Sequence, residues 1–178
     1  VSSDLRIQSS EIVCSTVKVK QRLTYDDVHK KVDPAIFDRL VDFATQLRKE
    51  RVENGAVLMP RPEVSIDATN SPRLLLRKRL RQARSQLIVS ELMILANKLA
   101  AGAAAEAGVP FPFRAQKKPE EAVPSSGQFN PYISYCQRRV MPRAFNSLKA
   151  VPHYSLGLAA YTNVTSPLRR YFDVIAQR

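Results

Sequence analysis

The strongest chemical signal in the sequence is a pair of adjacent arginines in the C-terminal segment TSPLRRYFD. Ser166 is a typical helix cap and Pro167 fits the first helical position, so the segment predicts a helix that starts here. Arg169 and Arg170 would then lie in its first turn, where the helix dipole disfavours positive charge. Cations in this unfavourable position indicate an anion-binding site, and a phosphate is the anion that arginines fit well.

Asp173 follows Arg169 at a spacing of four residues and could orient its guanidinium. The same spacing is also that of an ordinary surface ion pair, worth roughly a few tenths of a kcal/mol. Residue types and spacing leave these two interpretations open.

Glu91 is a second candidate, because it is a carboxylate in an otherwise apolar part of the chain. Its neighbours at helical spacings of three and four residues are Leu87, Ile88, Ile94 and Leu95. Burying a carboxylate without partners is costly, so we expect Glu91 to meet an arginine, a hydroxyl or a ligand. The alternative is a helix-edge residue paired with Lys98 or a neighbouring arginine.

The elements in the first half of the chain follow from hydrophobic period and turn residues. Alternation over residues 10–20 predicts a strand. Thr24 and the acids after it predict a short helix that ends near Asp33. Apolar residues every three or four positions after Pro34 predict an amphipathic helix that ends near Asn54 and Gly55.

The second half of the chain is predicted in the same way. Short strands are expected at 56–59 and 63–66, followed by a long central helix from about Arg79 to Ala105. Residues 115–130, rich in lysine, proline and serine, predict an exposed loop. A strand-like segment at 153–162 then leads into the final helix. These elements predict an α+β fold in which most residues are helical around the edge of a mixed sheet.

Composition favours a polyanionic partner, because 28 Lys and Arg residues against 16 Asp and Glu give a net charge of +12. The alternative is a basic surface that only keeps the protein solvated. Cys14 and Cys136 lack the spacing of a zinc site or disulfide framework. No apolar run approaches the roughly 18 residues of a membrane span, so we expect no membrane partner.

A family resemblance enters through a long, gapless set of motifs. It comprises His153, Leu156-Gly157-Leu158, Tyr161-Thr162, the run from Thr165 to Tyr171, and Asp173. Glu91 to Asn97, Val109-Pro110 and Arg114 extend it upstream. Together they resemble the RNB catalytic domain of RNase II-type exoribonucleases. The run YTNVTSPLRRY is most similar to the corresponding segment of fungal mitochondrial exoribonucleases that partner an RNA helicase.

The resemblance implies processive hydrolysis of single-stranded RNA from its 3′ end to nucleoside monophosphates. It implies that residues 1–178 are the C-terminal portion of the domain, and that Mg²⁺ is held by aspartates upstream of this chain, so the fragment alone would be inactive. A mitochondrial location follows from the same likeness, with nuclear or cytoplasmic locations as alternatives.

The resemblance also implies roles for individual residues. Arg169 would neutralise a phosphate near the scissile bond, and Glu91 would lie beside the 3′-terminal nucleotide. The other implied RNA contacts are Arg170, Tyr25, Ser166, Thr165 and His153. Tyr25 could stack on a base or be an ordinary core residue, whereas structural packing is the favoured interpretation of His153.

Two other function classes remain open at this point. One is a non-catalytic RNA-binding protein that keeps the RNB scaffold and acts in translational control. The other is an assembly subunit whose basic surface binds a larger RNA–protein particle.

Overall fold

The computed structural model describes residues 5–25, 27–59, 62–67, 75–80, 84–124 and 129–177. The helices in these ranges are α1 Val28–Lys31, α2 Pro34–Glu53, α3 Arg84–Ala107, α4 Pro131–Val140 and α5 Tyr171–Ala176, with a 3₁₀ helix at Tyr154–Leu156. The strands are β1 Pro62–Asp67, β2 Leu75–Leu80, β3 Phe113–Ala115 and β4 Phe145–Ser147. The predicted α+β fold is confirmed, and helices are its largest elements.

The amphipathic helix predicted after Pro34 is α2, and its bounds are set by local chemistry. Asp33 caps it, since its side chain accepts a hydrogen bond from the Ala35 amide, and Pro34 takes the first position. Asn54 closes it and Gly55 follows with a φ of +87°, which is favourable for glycine. The short helix α1 also lies where the sequence predicts it, before Asp33.

The main core lies between α2 and α3. Buried Phe37, Val41 and Ala44 of α2 pack with Ile88 of α3. The hydrophobic period predicts Ile36 as the first buried residue of α2, but Ile36 is 57% exposed and Phe37 is buried in its place; further along the helix Ala44 and Leu47 are buried, as predicted. The central helix begins five residues later than predicted, because residues 75–80 form β2 instead.

The two small sheets are antiparallel ladders. β1 pairs with β2 from Pro62 opposite Leu80 to Asp67 opposite Leu75, and β3 pairs with β4 from Phe113 opposite Ser147 to Ala115 opposite Phe145. A parallel bridge joins Gln116 to His153. A second apolar cluster of Ala101, Ala104 and Phe113 fixes β3 against the end of α3.

Several predicted strands are absent from the described residues. Residues 10–20 are exposed and carry no regular secondary structure, with Ile12 70% and Val17 77% exposed. Alternation predicts a strand only where a neighbouring strand and an apolar layer complete it. Residues 56–59 have no strand assignment, and the strand-like segment at 153–162 contains the 3₁₀ helix and isolated bridges.

α3 meets the length and composition of a membrane-spanning helix, with a mean hydropathy of 1.5 in its most apolar window. This differs from the expectation that no apolar run is long enough. In the structure α3 packs against α2 and carries the buried polar residues Glu91 and Asn97. A core helix of a water-soluble domain has the same composition.

Candidate nucleic-acid interface

Glu91 is the centre of a buried ion cluster between α2 and α3. Its side chain is 1% exposed, and Arg51 binds it in a bidentate manner, with Nε and Nη2 donating to its carboxylate at 2.8–3.0 Å. Arg48 Nε donates to Oε1 at 2.8 Å. The expectation that Glu91 meets an arginine is confirmed, with partners from α2 rather than Lys98. Both carboxylate oxygens of Glu91 accept hydrogen bonds from arginines. An RNA group could therefore contact Glu91 only by sharing an oxygen with an arginine or by displacing one.

Arg51 links this cluster to the loop that contains Gly157. Its Nη1 donates to the Leu156 carbonyl at 3.2 Å, while its own carbonyl accepts from the Ala56 amide at 2.8 Å. Gly157 has a φ of +64°, and a Cβ there would stand 2.5 Å from the Arg51 carbonyl oxygen. The loop therefore approaches the end of α2 as closely as it does only because residue 157 is glycine.

Asn97 connects α3 to the segment that leads to the two arginines. Its amide nitrogen donates to the Tyr161 hydroxyl at 2.9 Å, and its oxygen accepts from the Val164 amide at 2.9 Å. Burial raises the pKa of Tyr161 against the opposing effect of the Asn97 hydrogen bond. The charges of Arg170, Arg51 and Asp173 have smaller effects on the pKa of this hydroxyl.

The C-terminal junction differs from its prediction. α5 begins at Tyr171, and residues 167–169 form a turn in which the Ser166 carbonyl accepts from the amides of Arg169 and Arg170. Arg170 is extended, with φ −132° and ψ 115°. The prediction that Ser166 caps the helix and that both arginines lie in its first turn is therefore wrong, and the helix-dipole argument for a phosphate site falls with it.

Asp173 explains this local geometry. It is fully buried, and its Oδ2 accepts from the Ser166 amide at 2.8 Å. The carboxylate is therefore directed to the turn backbone rather than to Arg169, whose Nη2 lies 3.4 Å from the Ser166 hydroxyl. The predicted pair of Arg169 and Asp173 is not formed, because the backbone amide has taken the carboxylate.

The turn presents a continuous exposed segment of cations and apolar side chains, Leu168, Arg169, Arg170, Tyr171 and Phe172. Leu168 is fully exposed and Tyr171 is 76% exposed. Arginines next to accessible aromatic rings are the side chains that bind single-stranded nucleic acid, by charge and by base stacking. Below the segment, Thr165 Oγ1 and Asp173 Oδ1 are buried without a hydrogen-bond partner.

Tyr25 and His153 occupy different environments. Tyr25 is 41% exposed and its carbonyl accepts from the Ser85 hydroxyl at 3.1 Å, which places it near the start of α3. His153 is 8% exposed and its ring meets Tyr161 edge-on, with centroids 5.5 Å apart. Burial, reinforced by the charge of Arg114, lowers the pKa of His153 to about 4, so the imidazole is neutral near pH 7.

Hydrogen bonds from other side chains thus connect some of the predicted site residues. Asn97 connects α3 with Tyr161 and Val164, and Asp173 anchors Ser166 next to Thr165. Sequence reasoning missed Arg48, Arg51 and the anchoring role of Asn97. A signal was present for Arg51, because it continues the buried stripe of α2 at helical spacing from Leu47.

The part of the chain that the structure describes shows no arrangement of side chains that could bind a metal ion. It contains no group of three or more His, Cys, Asp or Glu side chains placed to hold an ion. Glu91 is committed to two arginines and Asp173 to a backbone amide. The described residues therefore offer no Mg²⁺ site, and the resemblance implies aspartates upstream of this chain as the ligands.

Comparison with known proteins agrees with these motifs. The chain is 32% identical over 182 residues to an uncharacterized ribonuclease of Synechocystis, which covers 95% of this chain and 26% of that protein. It is 25% identical over 222 residues to ribonuclease R of Thermotoga maritima, which covers 100% of this chain and 31% of that protein. The chain thus spans about a quarter to a third of the length of these relatives.

Three solved structures share the fold. Mycoplasma genitalium RNase R in complex with ribose-methylated single-stranded RNA has a TM-score of 0.70 at 19% identity, over 86% of this chain and 31% of that chain. An active-site mutant of the Dss1 exoribonuclease from Candida glabrata has a TM-score of 0.71 at 22% identity, over 87% and 23%. Yeast Ssd1, a pseudonuclease, has a TM-score of 0.70 at 18% identity, over 99% and 27%.

The family model described as the RNB domain matches residues 1–126 and 121–178, which together include the whole chain. The relatives, the shared fold and the motifs around Glu91, Tyr161 and Arg169 point the same way. This protein belongs to the RNB domain family.

Proposed function

We propose that this chain is the C-terminal portion of the catalytic domain of a processive exoribonuclease that hydrolyses single-stranded RNA from its 3′ end to nucleoside monophosphates. Membership in a family that includes ribonuclease R supports RNA degradation. Direction, processivity and products are part of the proposal.

The exposed segment from Leu168 to Phe172 is the observation that carries the proposal. Two exposed arginines lie at the turn and two aromatic rings at the start of α5, and the base of the turn is held by Asp173 and, through Val164, by Asn97. A rigid base keeps the arginine side chains near one position, so they can meet a phosphate with little loss of conformational freedom. In this proposal Arg169 contacts the phosphate near the scissile bond and Arg170 assists.

Hydrolysis in this proposal also needs Mg²⁺, and we assign its ligands to carboxylates outside this chain. When bound, the ions would stabilise the attacking and leaving oxygens. The described residues contribute the complementary parts: neutralisation of phosphate charge by Arg169 and a contact from Tyr25 to the last nucleotide. Glu91 would reach that nucleotide only when an arginine releases one of its carboxylate oxygens. Thr165, Ser166 and His153 are further RNA contacts in this proposal.

The experiment measures the full-length protein with single-stranded RNA in the presence of Mg²⁺. RNA labelled at its 5′ end should shorten from the 3′ end, and a blocked 3′ end should stop the reaction. We expect Arg169→Ala to lower turnover roughly 100-fold while RNA affinity falls far less, since other basic residues still hold the strand. Lys49→Ala, which removes an exposed cation of α2, is the matched control.

Equal losses of turnover and affinity in Arg169→Ala would contradict the assigned role. A wild-type protein that binds RNA with salt-dependent affinity but does not shorten it would instead support a non-catalytic RNA-binding protein. Likeness in fold to a pseudonuclease makes this the alternative function.

A mitochondrial location and an RNA-helicase partner are further parts of the proposal. They rest on the resemblance of the run YTNVTSPLRRY to fungal mitochondrial exoribonucleases. Organelle fractionation and affinity purification of the tagged full-length protein test them. A nuclear or cytoplasmic location would contradict the first part, and the absence of a copurifying helicase would contradict the second.

A further inference from the structure

Helix α4 has the reverse of the usual distribution of polar and aromatic side chains. It buries Ser134 and Gln137, which are 6% and 1% exposed, and presents Tyr132 and Tyr135, which are 74% and 52% exposed. A helix on a protein surface normally buries its aromatic residues, so exposed rings above a buried polar face indicate a binding surface.

Hydrogen bonds contribute to the orientation of α4. Gln137 Nε2 donates to the Pro124 carbonyl at 2.8 Å, and the cap residue Asn130 accepts from the amides of Tyr132 and Ile133. Just beyond the helix, Gln116 Nε2 donates to the Pro142 carbonyl at 2.7 Å. These bonds hold the side of α4 that carries Gln137 against the protein, and the two tyrosines remain exposed.

Tyr132, Tyr135 and Arg139 lie on one face, at spacings of three and four residues. The Arg139 guanidinium carbon lies 5.9 Å from the centre of the Tyr135 ring, within cation–π range. Arg138 and Arg143 are exposed beside it, and the helix contains no acidic residue. We call Tyr132, Tyr135 and Arg139 the α4 face.

We propose that the α4 face is a second binding surface for single-stranded RNA, separate from the turn at residues 166–170. Successive bases would stack on Tyr132 and Tyr135, whose positions differ by a rise of about 4.5 Å along the helix. Arg139 would contact the phosphates between them. The concentration of cations favours a polyanion over a protein partner. The inference depends on the proposed function only in taking RNA as the ligand.

The test compares a long oligouridylate with a short one that reaches only the catalytic site, using the full-length protein. We expect Tyr132→Ala combined with Tyr135→Ala to weaken binding of the long RNA on the order of tenfold or more. Hydrolysis of the short RNA should be unchanged. Arg139→Ala should reduce the slope of log affinity against log salt by about one. Lys49→Ala controls for the loss of one positive charge.

Two further measurements keep the inference testable. Tyr135→Phe retains the ring and should bind the long RNA as the wild type does. In the unmodified protein, photoreactive uridines in the long RNA should crosslink to the peptide that contains Tyr132 and Tyr135. Because binding and crosslinking need no turnover, both would succeed even if the protein does not hydrolyse RNA.

Unchanged long-RNA affinity in the tyrosine double variant, with no crosslink to α4, would overturn the inference. So would variants that keep full RNA affinity but lose self-association or a copurifying protein, because the α4 face would then be a protein contact.

Discussion

Glu91→Ala is the most informative single substitution in this protein, because it separates a structural role of the carboxylate from a substrate contact. Removing the side chain leaves Arg51, which is 8% exposed, without its bidentate partner. Arg48, which is more exposed, can turn towards solvent, but Arg51 is held by the Leu156 carbonyl. The variant therefore contains a buried cation without a counter-charge.

The cost follows from this geometry. Breaking a buried ion pair by removing one partner destabilises a protein by about 3–5 kcal/mol, much more than an exposed pair would. The upper part of this range is expected here, since the carboxylate accepts from three arginine nitrogens at 3.0 Å or less. Replacing both partners, in Arg51→Met with Glu91→Leu, should recover most of the loss because no charge remains buried.

Urea unfolding gives the free energy, and hydrogen exchange of the α2 and α3 amides in the full-length protein reports whether the loss is local. Glu53→Gln, which replaces an exposed carboxylate at the end of α2, is the control and should change stability by less than about 0.5 kcal/mol. A Glu91→Ala protein that keeps its stability and exchange protection but loses turnover would refute the structural reasoning, and would favour direct contact with the terminal nucleotide.

Two predictions concern the loop around Gly157. Gly157→Ala should destabilise the protein by more than about 2 kcal/mol, because the new Cβ would clash with the Arg51 carbonyl. Gly102→Ala lies in open space within α3 and should stabilise the protein by about 0.5–1 kcal/mol. Thermal unfolding measures both changes. In the folded protein the pKa of His153 lies below its ordinary value of 6.5. The contribution of the neutral imidazole to the free energy of unfolding is therefore present above pH 6.5 and is lost as the pH falls towards 4. His153→Phe should therefore lose less stability than the wild type between pH 7 and pH 4.5, and equal losses would contradict the assignment.

The sequence predicted those elements whose capping residues and hydrophobic period lie within the element or directly beside it. α2 begins and ends where Asp33, Pro34, Asn54 and Gly55 indicate, because caps and backbone conformation are local properties. The long central helix was also predictable from its period, although its first residues belong to β2. Glu91 was predictable as a paired carboxylate, since any charge on a buried stripe needs a partner.

α4 and the terminal turn were not predictable in the same way. The orientation of α4 depends on Gln137 reaching the Pro124 carbonyl, and a buried glutamine looks like a surface residue in the sequence. Ser166 and Pro167 form a helix-start pattern, but the helix begins at Tyr171, and the Asp173 carboxylate accepts from the Ser166 amide instead of pairing with Arg169. Alternation at 10–20 lacks a pairing strand in the described residues.

The sequence alone determined the family, the basic character and the residues with chemical potential, because these depend on residue identity and order. Tertiary structure decided which partners those residues have. Arg51 reaches Glu91 across 40 positions, and Asn97 reaches Val164 across 67. Contacts at such separations are selected by the packing of α2 and α3 and by the close approach at Gly157. No local pattern encodes that choice, because each partner is one of many residues with the same chemistry.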